Sequence, residues 1–295
     1  MLPGTIAAQL WPGQSPRIDR LGGGITNHNF RVDVGEESYV LRIGGKDTQL
    51  LGIDRRAEHA AACAAAAAGV GPEVIAFVER EGALVTRFID GRPISRDEMR
   101  RPDAIAAVAE ALARFHSATA LPARFDSFRV VEAYAAAVER HGAKVPAAYD
   151  EAHRLAVRIE RIRGPQPPRP CHNDLLNANF IREADRIWIV DWEYAGMGDV
   201  FFDLANFAVN HELEAEHEDE LLRCYFGVRR ETDAAALTLM RFMSDFREAM
   251  WGVVQQRISE LDFDFLGYAE QHFERLRRTA AAPRFRAALQ VLETS

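Results

Sequence analysis

The chain has 295 residues, 36 Lys plus Arg against 44 Asp plus Glu, and a formal net charge of −8. That length predicts two lobes or one large domain, and a composition of 48% apolar and 27% charged residues is ordinary for a globular protein. The net acidity argues against a protein built chiefly to hold nucleic-acid phosphate, which needs a basic face, but it leaves room for a local basic pocket.

Residues 1–20 lack the basic start and long apolar core of a secretion signal. No stretch reaches the roughly 18 apolar residues of a membrane span, so a cytoplasmic protein with no membrane partner is expected. Leu21-Gly22-Gly23-Gly24-Ile25-Thr26-Asn27 precedes two alternating runs, His28–Val34 and Ser38–Ile43, which the Gly35-Glu36-Glu37 turn joins into a hairpin. Asp54 is placed to cap a helix through the Ala-rich segment and Gly69 to end it, with Gly71-Pro72 as the break. Val74–Val78 and Leu84–Ile89 predict two further strands around Gly82. After Asp90-Gly91 the pattern turns helical: Ser95 with Glu98 forms a capping box, and from Pro102 the residues Ile105, Val108, Leu112 and Phe115 recur at helical spacing. Residues 130–162 predict more helix, and the Pro-rich segment 164–170 a stiff connector. A short hairpin over Asn179–Ile181 and Ile187–Val190 follows, then helices at about Ala234–Ile258 and Phe265–Arg278. The expected class is α+β, with a small β-rich lobe over residues 1–90 and a larger, mostly helical lobe over 91–295.

Cys63, Cys171 and Cys224 lie far apart without a C-x-x-C pair, which fits a reducing compartment and argues against a thiolate metal site. The acidic charge is concentrated. Residues 172–222 carry thirteen carboxylates against Arg182 and Arg186, a local charge of −11 that asks for a cation. Within this stretch Glu212, Glu216 and Glu220 are spaced as the solvated face of a helix, while His211, His217 and Glu214 read as surface groups needing no metal.

The most informative segment is His172-Asn173-Asp174-Leu175-Leu176-Asn177-Ala178-Asn179, followed by Ile189-Val190-Asp191-Trp192-Glu193. Phosphoryl transfer needs one carboxylate to accept the proton of the attacking hydroxyl, and an Asn oxygen with a second carboxylate to hold magnesium. Asp174 suits the first task, Asn179 and Asp191 the second. The bland reading, an Asx-rich turn in which Asp174 and Asn179 cap backbone groups, loses ground to the position of Asp191 just beyond the hairpin. In the small lobe the glycine cluster offers backbone amides to phosphate, although most such clusters are only turns. Arg42 interrupts an apolar strand and suits phosphate if Glu58 orients it; otherwise both are solvated surface groups.

These segments resemble the protein-kinase-like phosphotransferases, most closely the choline/ethanolamine kinases, with the aminoglycoside phosphotransferases as further kin, over Leu21 to about Arg278. The loop H-N-D-x-x-x-x-N, Asp191-Trp192-Glu193-Tyr194 and Asp203-Leu204-Ala205-Asn206 carry the likeness. So do arginine at position 42, the segment Met250-Trp251-Gly252-Val253-Val254-Gln255 and the spacing from Trp251 to Tyr268. The resemblance implies a bilobal kinase-like fold using ATP and Mg2+. It implies nucleotide contacts at Gly23, Gly24, Thr26, Asn27, Arg42, Glu58, Phe88 and Ile89, and catalytic roles for Asp174, Asn179 and Asp191, with Asn179 and Asp191 as metal ligands. It further implies an acceptor box of Tyr194, Trp251 and Tyr268 beside Asp174, since a quaternary ammonium is held on aromatic faces. By spacing alone, Trp251 and Tyr268 read as helix-packing core. The chain departs from the family pattern at Glu248, where a tryptophan is expected, and at Asn210, where a glutamate is expected. Glu248 adds a carboxylate to the box that suits an ammonium with N–H donors as well as choline. The implied activity is ATP- and Mg-dependent phosphorylation of the hydroxyl of a small cationic amino alcohol, choline first and ethanolamine next. Rival readings are the same fold acting on thiamine, an aminoglycoside or homoserine, a non-catalytic nucleotide-binding module, and a metal-dependent hydrolase built on His172 and Asp174. The oligomeric state stays open.

Overall fold

The structure, a computed structural model, describes residues 3–22, 27–45, 48–259 and 261–294, and only the backbone of Gln49 and Leu50. A helix α1 (Pro3–Leu10) leads into strands β1 (Arg17–Arg20), β2 (Asn27–Val34) and β3 (Glu37–Gly44), then helix α2 (Arg55–Ala67), β4 (Val74–Val78) and β5 (Ala83–Arg87). The strands form one antiparallel sheet in the order β1-β2-β3-β5-β4. Alternation sends Val32, Val34, Leu41 and Val85 to one face, where they form a core of their own with Ile6 and Ala7 of α1. Trp11, stacked 5.1 Å from Tyr39, extends this cover. Neither α1 nor β1 is long enough to carry a periodic signal, and neither was expected from the sequence. On β3 Arg42 alternates with buried Leu41 and so faces the other way, toward the large lobe. Asp54 accepts from the backbone N–H groups of Arg56 and Ala57, as its capping position predicts, and Gly69 follows the helix with φ +69°.

The large lobe begins with β6 (Arg92–Pro93) and α3 (Arg96–Met99), whose Ser95–Glu98 capping box is present. Helices α4 (Pro102–His116), α5 (Ser127–Arg140) and α6 (Ala148–Arg163) follow. The helix expected through 130–162 is therefore two, broken where Gly142 adopts φ +70° and Pro146 withholds an N–H. Strands β7 (Arg169–Cys171), β8 (Phe180–Glu183), β9 (Arg186–Ile189) and β10 (Gly196–Gly198) form two small sheets, β6-β8-β9 and β10-β7, the former containing the expected hairpin. Helices α7 (Val200–Asn210), α8 (Ala215–Phe226), α9 (Glu231–Ile258), α10 (Phe265–Ala281) and α11 (Pro283–Glu293) complete the chain. Most of α9 is buried, and it packs on α5, α7, α10 and α11.

The acidic run differs from expectation. Glu212 precedes α8 in a left-handed conformation, φ +54°, and pairs with Arg96 instead of sharing a helical face with Glu216 and Glu220. Glu218 is buried between Arg241 and Arg284. His211 is no surface group: it packs on Phe180 and Phe207, its Nδ1 donates to the Phe207 carbonyl, and burial pushes its pKa down to about 4. The −11 stretch also finds many of its cations within the chain, as Asp199 pairs with Arg163, Asp219 with Arg229 and Glu193 with Arg55. Cys63, Cys171 and Cys224 are unpaired, and among the described residues no helix is long and apolar enough to cross a membrane.

Candidate active site

The loop after β7 is held by one face of α7. Asp203, Asn206 and Asn210 recur at i, i+3 and i+7, and all three reach the loop backbone. Asp203 Oδ2 accepts from His172 N at 2.7 Å and Oδ1 from Asn173 N at 2.6 Å, short charge-assisted bonds in a fully buried setting. His116 Nε2 donates to the same carboxylate at 3.0 Å. Asn206 Oδ1 accepts from Leu175 N at 2.5 Å, and its Nδ2 donates to Ser244 Oγ at 3.0 Å. Asn210, the family's expected glutamate, donates its Nδ2 to the Leu175 carbonyl at 3.3 Å and so helps hold the loop. These contacts keep Asn173 at φ +67°, a left-handed conformation that non-glycine residues seldom adopt without support.

His172 is a scaffold. Asp174 N donates to its Nδ1 at 3.2 Å, so its Nε2–H donates to the Val190 carbonyl at 3.0 Å, and burial lowers its pKa. Its ring lies 4.6 Å from that of Trp192, which also packs on Phe115. The imidazole thereby ties the loop to the end of β9, where Asp191 stands at φ +69°.

Asp174 is buried between this frame and α9. Its Oδ1 accepts from Arg247 Nη1 at 3.1 Å, and Asn179 Nδ2 donates to the Asp174 carbonyl at 2.8 Å. Burial pushes the Asp174 carboxyl up to about 7, against the Arg247 guanidinium and with the neighbouring Glu248 and Asp191 carboxylates. Arg247 is a residue the sequence reading missed. An arginine in a helix ordinarily signals a wet face; the signal against that was its neighbours Met243, Ser244, Met250 and Trp251, which all face the core.

Between the lobes lies a cavity of about 360 Å3, lined among others by Val40, Arg42, Glu58, Leu84, Phe88, Ile89, Ile181 and Asp191. Arg42 Nη1 donates to Glu58 Oε1 at 2.8 Å and to Asp191 Oδ1 at 2.6 Å, joining sheet, helix α2 and large lobe through one guanidinium. Arg55 donates to Glu58 Oε2 at 2.6 Å and reaches Glu193 at 3.4 Å. Asn27, expected at the nucleotide, is buried and donates its Nδ2 to Glu193 Oε2 at 2.8 Å. Gly23, Gly24 and Thr26 lie outside the described residues. For magnesium, the pair Asn179 and Asp191 offers hard oxygens. Asn179 spends its Nδ2 on the Asp174 carbonyl, which leaves its amide oxygen, and among the described residues Asp191 Oδ2 has no hydrogen bond. This donor set fits a small oxygen-seeking cation.

The box residues come together on the other side of Asp174. Trp251 Nε1 donates to Tyr194 Oη at 2.9 Å, and Tyr268 Oη donates to Glu248 Oε2 at 2.7 Å. The Trp251 and Tyr268 rings meet edge to face at 5.6 Å. Gly252 permits this, since a Cβ there would lie 3.0 Å from the Phe265 carbonyl and 3.1 Å from the Tyr268 ring. Arg247 Nη1 also donates to Glu248 Oε1 at 2.5 Å. Burial alone would raise Glu248, but Arg247, His272 and the Tyr268 hydroxyl hold it below the ordinary glutamate value.

The phosphotransferase enzyme family matches residues 17–237, three quarters of the chain and the whole span from β1 to the candidate base and metal ligands. The chain belongs to that family. A choline/ethanolamine kinase family protein from Mesorhizobium loti is 32% identical and superimposes with a TM-score of 0.85, covering 100% of both chains. The two-lobed arrangement is thus the kinase-like fold that the resemblance implied. Ethanolamine kinase 2 of Mus musculus is 27% identical over 296 residues, 89% of this chain and 76% of the mouse protein. Protein LicA of Haemophilus influenzae is 29% identical over 210 residues, 69% of this chain, and this chain spans 61% of its length.

Proposed function

We propose that the protein transfers the γ-phosphoryl group of ATP to the hydroxyl of a small amino alcohol in the presence of Mg2+. In this reading the lobe of residues 1–90 binds the nucleotide and the lobe of residues 91–295 the acceptor. The observation that carries it is Asp174: a buried carboxylate raised to about 7, set between the Arg42–Asp191 cleft and the Trp251–Tyr194 box. A base with that affinity takes a hydroxyl proton near neutral pH and holds it during transfer. Arg42, kept charged by Asp191 and Glu58, faces the cleft where phosphate charge is to be stabilised. Phe88 and Ile89 give that cleft apolar walls for a base. Asn179 and Asp191 would hold magnesium, which when bound neutralises phosphate charge and orients the transferring group.

The names of the relatives, choline/ethanolamine kinase family and ethanolamine kinase 2, support an amino alcohol as acceptor. So does the enclosed setting of the box, whose Tyr194, Glu248 and Trp251 are each at most 8% exposed. A hydrolase built on His172 is disfavoured, because both its ring nitrogens are committed to backbone groups. The test is ADP formation across a panel of amino alcohols, thiamine, homoserine and an aminoglycoside, with and without Mg2+. Turnover with an amino alcohol that needs Mg2+ and falls at least a hundredfold in Asp174→Ala supports the reading. Turnover surviving Asp174→Ala within a few-fold, or nucleotide binding without transfer to any alcohol, overturns it.

A further inference from the structure

The acceptor box already contains a cation. Arg247 is 1% exposed, and its guanidinium carbon lies 4.4 Å from the centre of the Tyr194 ring, within the range of a cation–π contact. That ring is one of the three faces on which a quaternary ammonium would be expected to rest. The box's other polar groups are also engaged, Trp251 Nε1 by Tyr194 and Tyr268 Oη by Glu248. Where a second tryptophan would give another face, Glu248 gives a carboxylate bonded to Arg247.

A trimethylammonium has no N–H, so its attraction must come from open aromatic faces and net charge. Here the Tyr194 face is covered and one wall is lost. A primary ammonium has three donors and needs no free ring. Asp174 and Glu248 set two carboxyl groups against the single guanidinium of Arg247, and each has oxygen lone pairs beyond those used in the box. Among the described residues, Nε and Nη2 of Arg247 have no hydrogen-bond partner although the residue is buried, so the site also calls for an oxygen acceptor. The hydroxyl oxygen of an amino alcohol supplies one beside Asp174.

We infer that Arg247 and Glu248 are specificity-determining residues that admit an alcohol bearing an ammonium with N–H donors and exclude the quaternary ammonium. This rests on the proposed reading that the protein phosphorylates an amino alcohol at Asp174. The resident guanidinium takes the aromatic face, and the carboxylates recognise the substrate through N–H bonds.

The test is kcat/KM for ethanolamine, N-methylethanolamine, N,N-dimethylethanolamine and choline at fixed ATP and Mg2+, with binding of ethanolamine and choline followed by calorimetry. A hydrogen bond to a charged group is worth about 1.5–3 kcal/mol, so choline should fall at least about tenfold below ethanolamine in both measurements. In Arg247→Leu combined with Glu248→Trp the ratio should move at least about tenfold toward choline. If that variant does not fold, the wild-type methyl series decides alone. Choline equal to or better than ethanolamine in the wild type overturns the inference, as does an unchanged ratio in a folded variant. Preferred turnover of serine or homoserine, whose carboxylate would take the free edge of Arg247, also overturns it. Failure of every alcohol to be phosphorylated would instead overturn the underlying kinase reading, and is recognised by that pattern.

Discussion

Replacing Asp174 by Asn should stabilise the protein while removing its activity. The carboxyl rises from an ordinary 3.8 to about 7 in the fold, because burial and the Glu248 and Asp191 charges outweigh the help of Arg247. The folded state therefore keeps a proton that the unfolded chain gives up between about pH 4 and 7. The associated stability is fully present below pH 4 and is lost as pH rises through 7, where the ionised group costs the fold about 4 kcal/mol. Asn mimics the neutral acid and escapes that cost. Urea unfolding of metal-free wild type and Asp174→Asn should show the variant's advantage widening by about 2–3 kcal/mol from pH 5 to pH 8, then levelling. Phosphoryl transfer, followed in the same preparations with Mg2+ restored, should fall by about 10²–10⁴. An advantage that is flat or shrinks with rising pH would refute the assignment of the raised carboxyl, whatever happens to turnover.

Three further outcomes follow from the same geometry. Asp203→Ala removes the acceptor for two backbone N–H groups and for His116, so it should cost about 3–5 kcal/mol in denaturant unfolding and lower kcat with it. Gly91→Ala should weaken nucleotide binding and lower the unfolding midpoint, since a Cβ there would stand 2.6 Å from both the Arg182 carbonyl and the Ile181 side chain at the cleft wall; thermal melts with and without ATP would show it. Arg42→Met strips the cleft of its shared cation and leaves Glu58 and Asp191 unpaired by it, so calorimetry should show nucleotide affinity reduced by about tenfold or more, with Glu58→Gln moving it less in the same direction.

What could be seen in the sequence was local. The alternation in His28–Val34 and Ser38–Ile43, the Asp54 cap and the Ser95–Glu98 box are each set by neighbours along the chain, and each stands where expected. The spacing of Asp174, Asn179 and Asp191 was equally legible because a loop and a short hairpin connect them. Three features were not legible because their meaning is tertiary. Arg247 is explained only by Asp174, Glu248 and Tyr194, residues brought to it from the loop, the helix itself and the segment after β9. Asn210 read only as a departure from the family's glutamate, and its hold on the Leu175 carbonyl from the last turn of α7 shows only in the fold. The Glu212–Glu220 run read as one wet face, whereas Glu218 lies beneath Arg241 and Arg284, two cations that arrive from α9 and α11.

The central claim is that Asp174 receives the proton of an amino alcohol as that hydroxyl takes the γ-phosphoryl group of ATP. Phosphorus NMR of the protein incubated with ATP, Mg2+ and ethanolamine tests it most directly. ADP and the phosphate monoester of ethanolamine should appear in equal amounts, and neither in the folded Asp174→Asn variant. ADP with free phosphate and no ester, or ester formed by the variant at close to the wild-type rate, would contradict it.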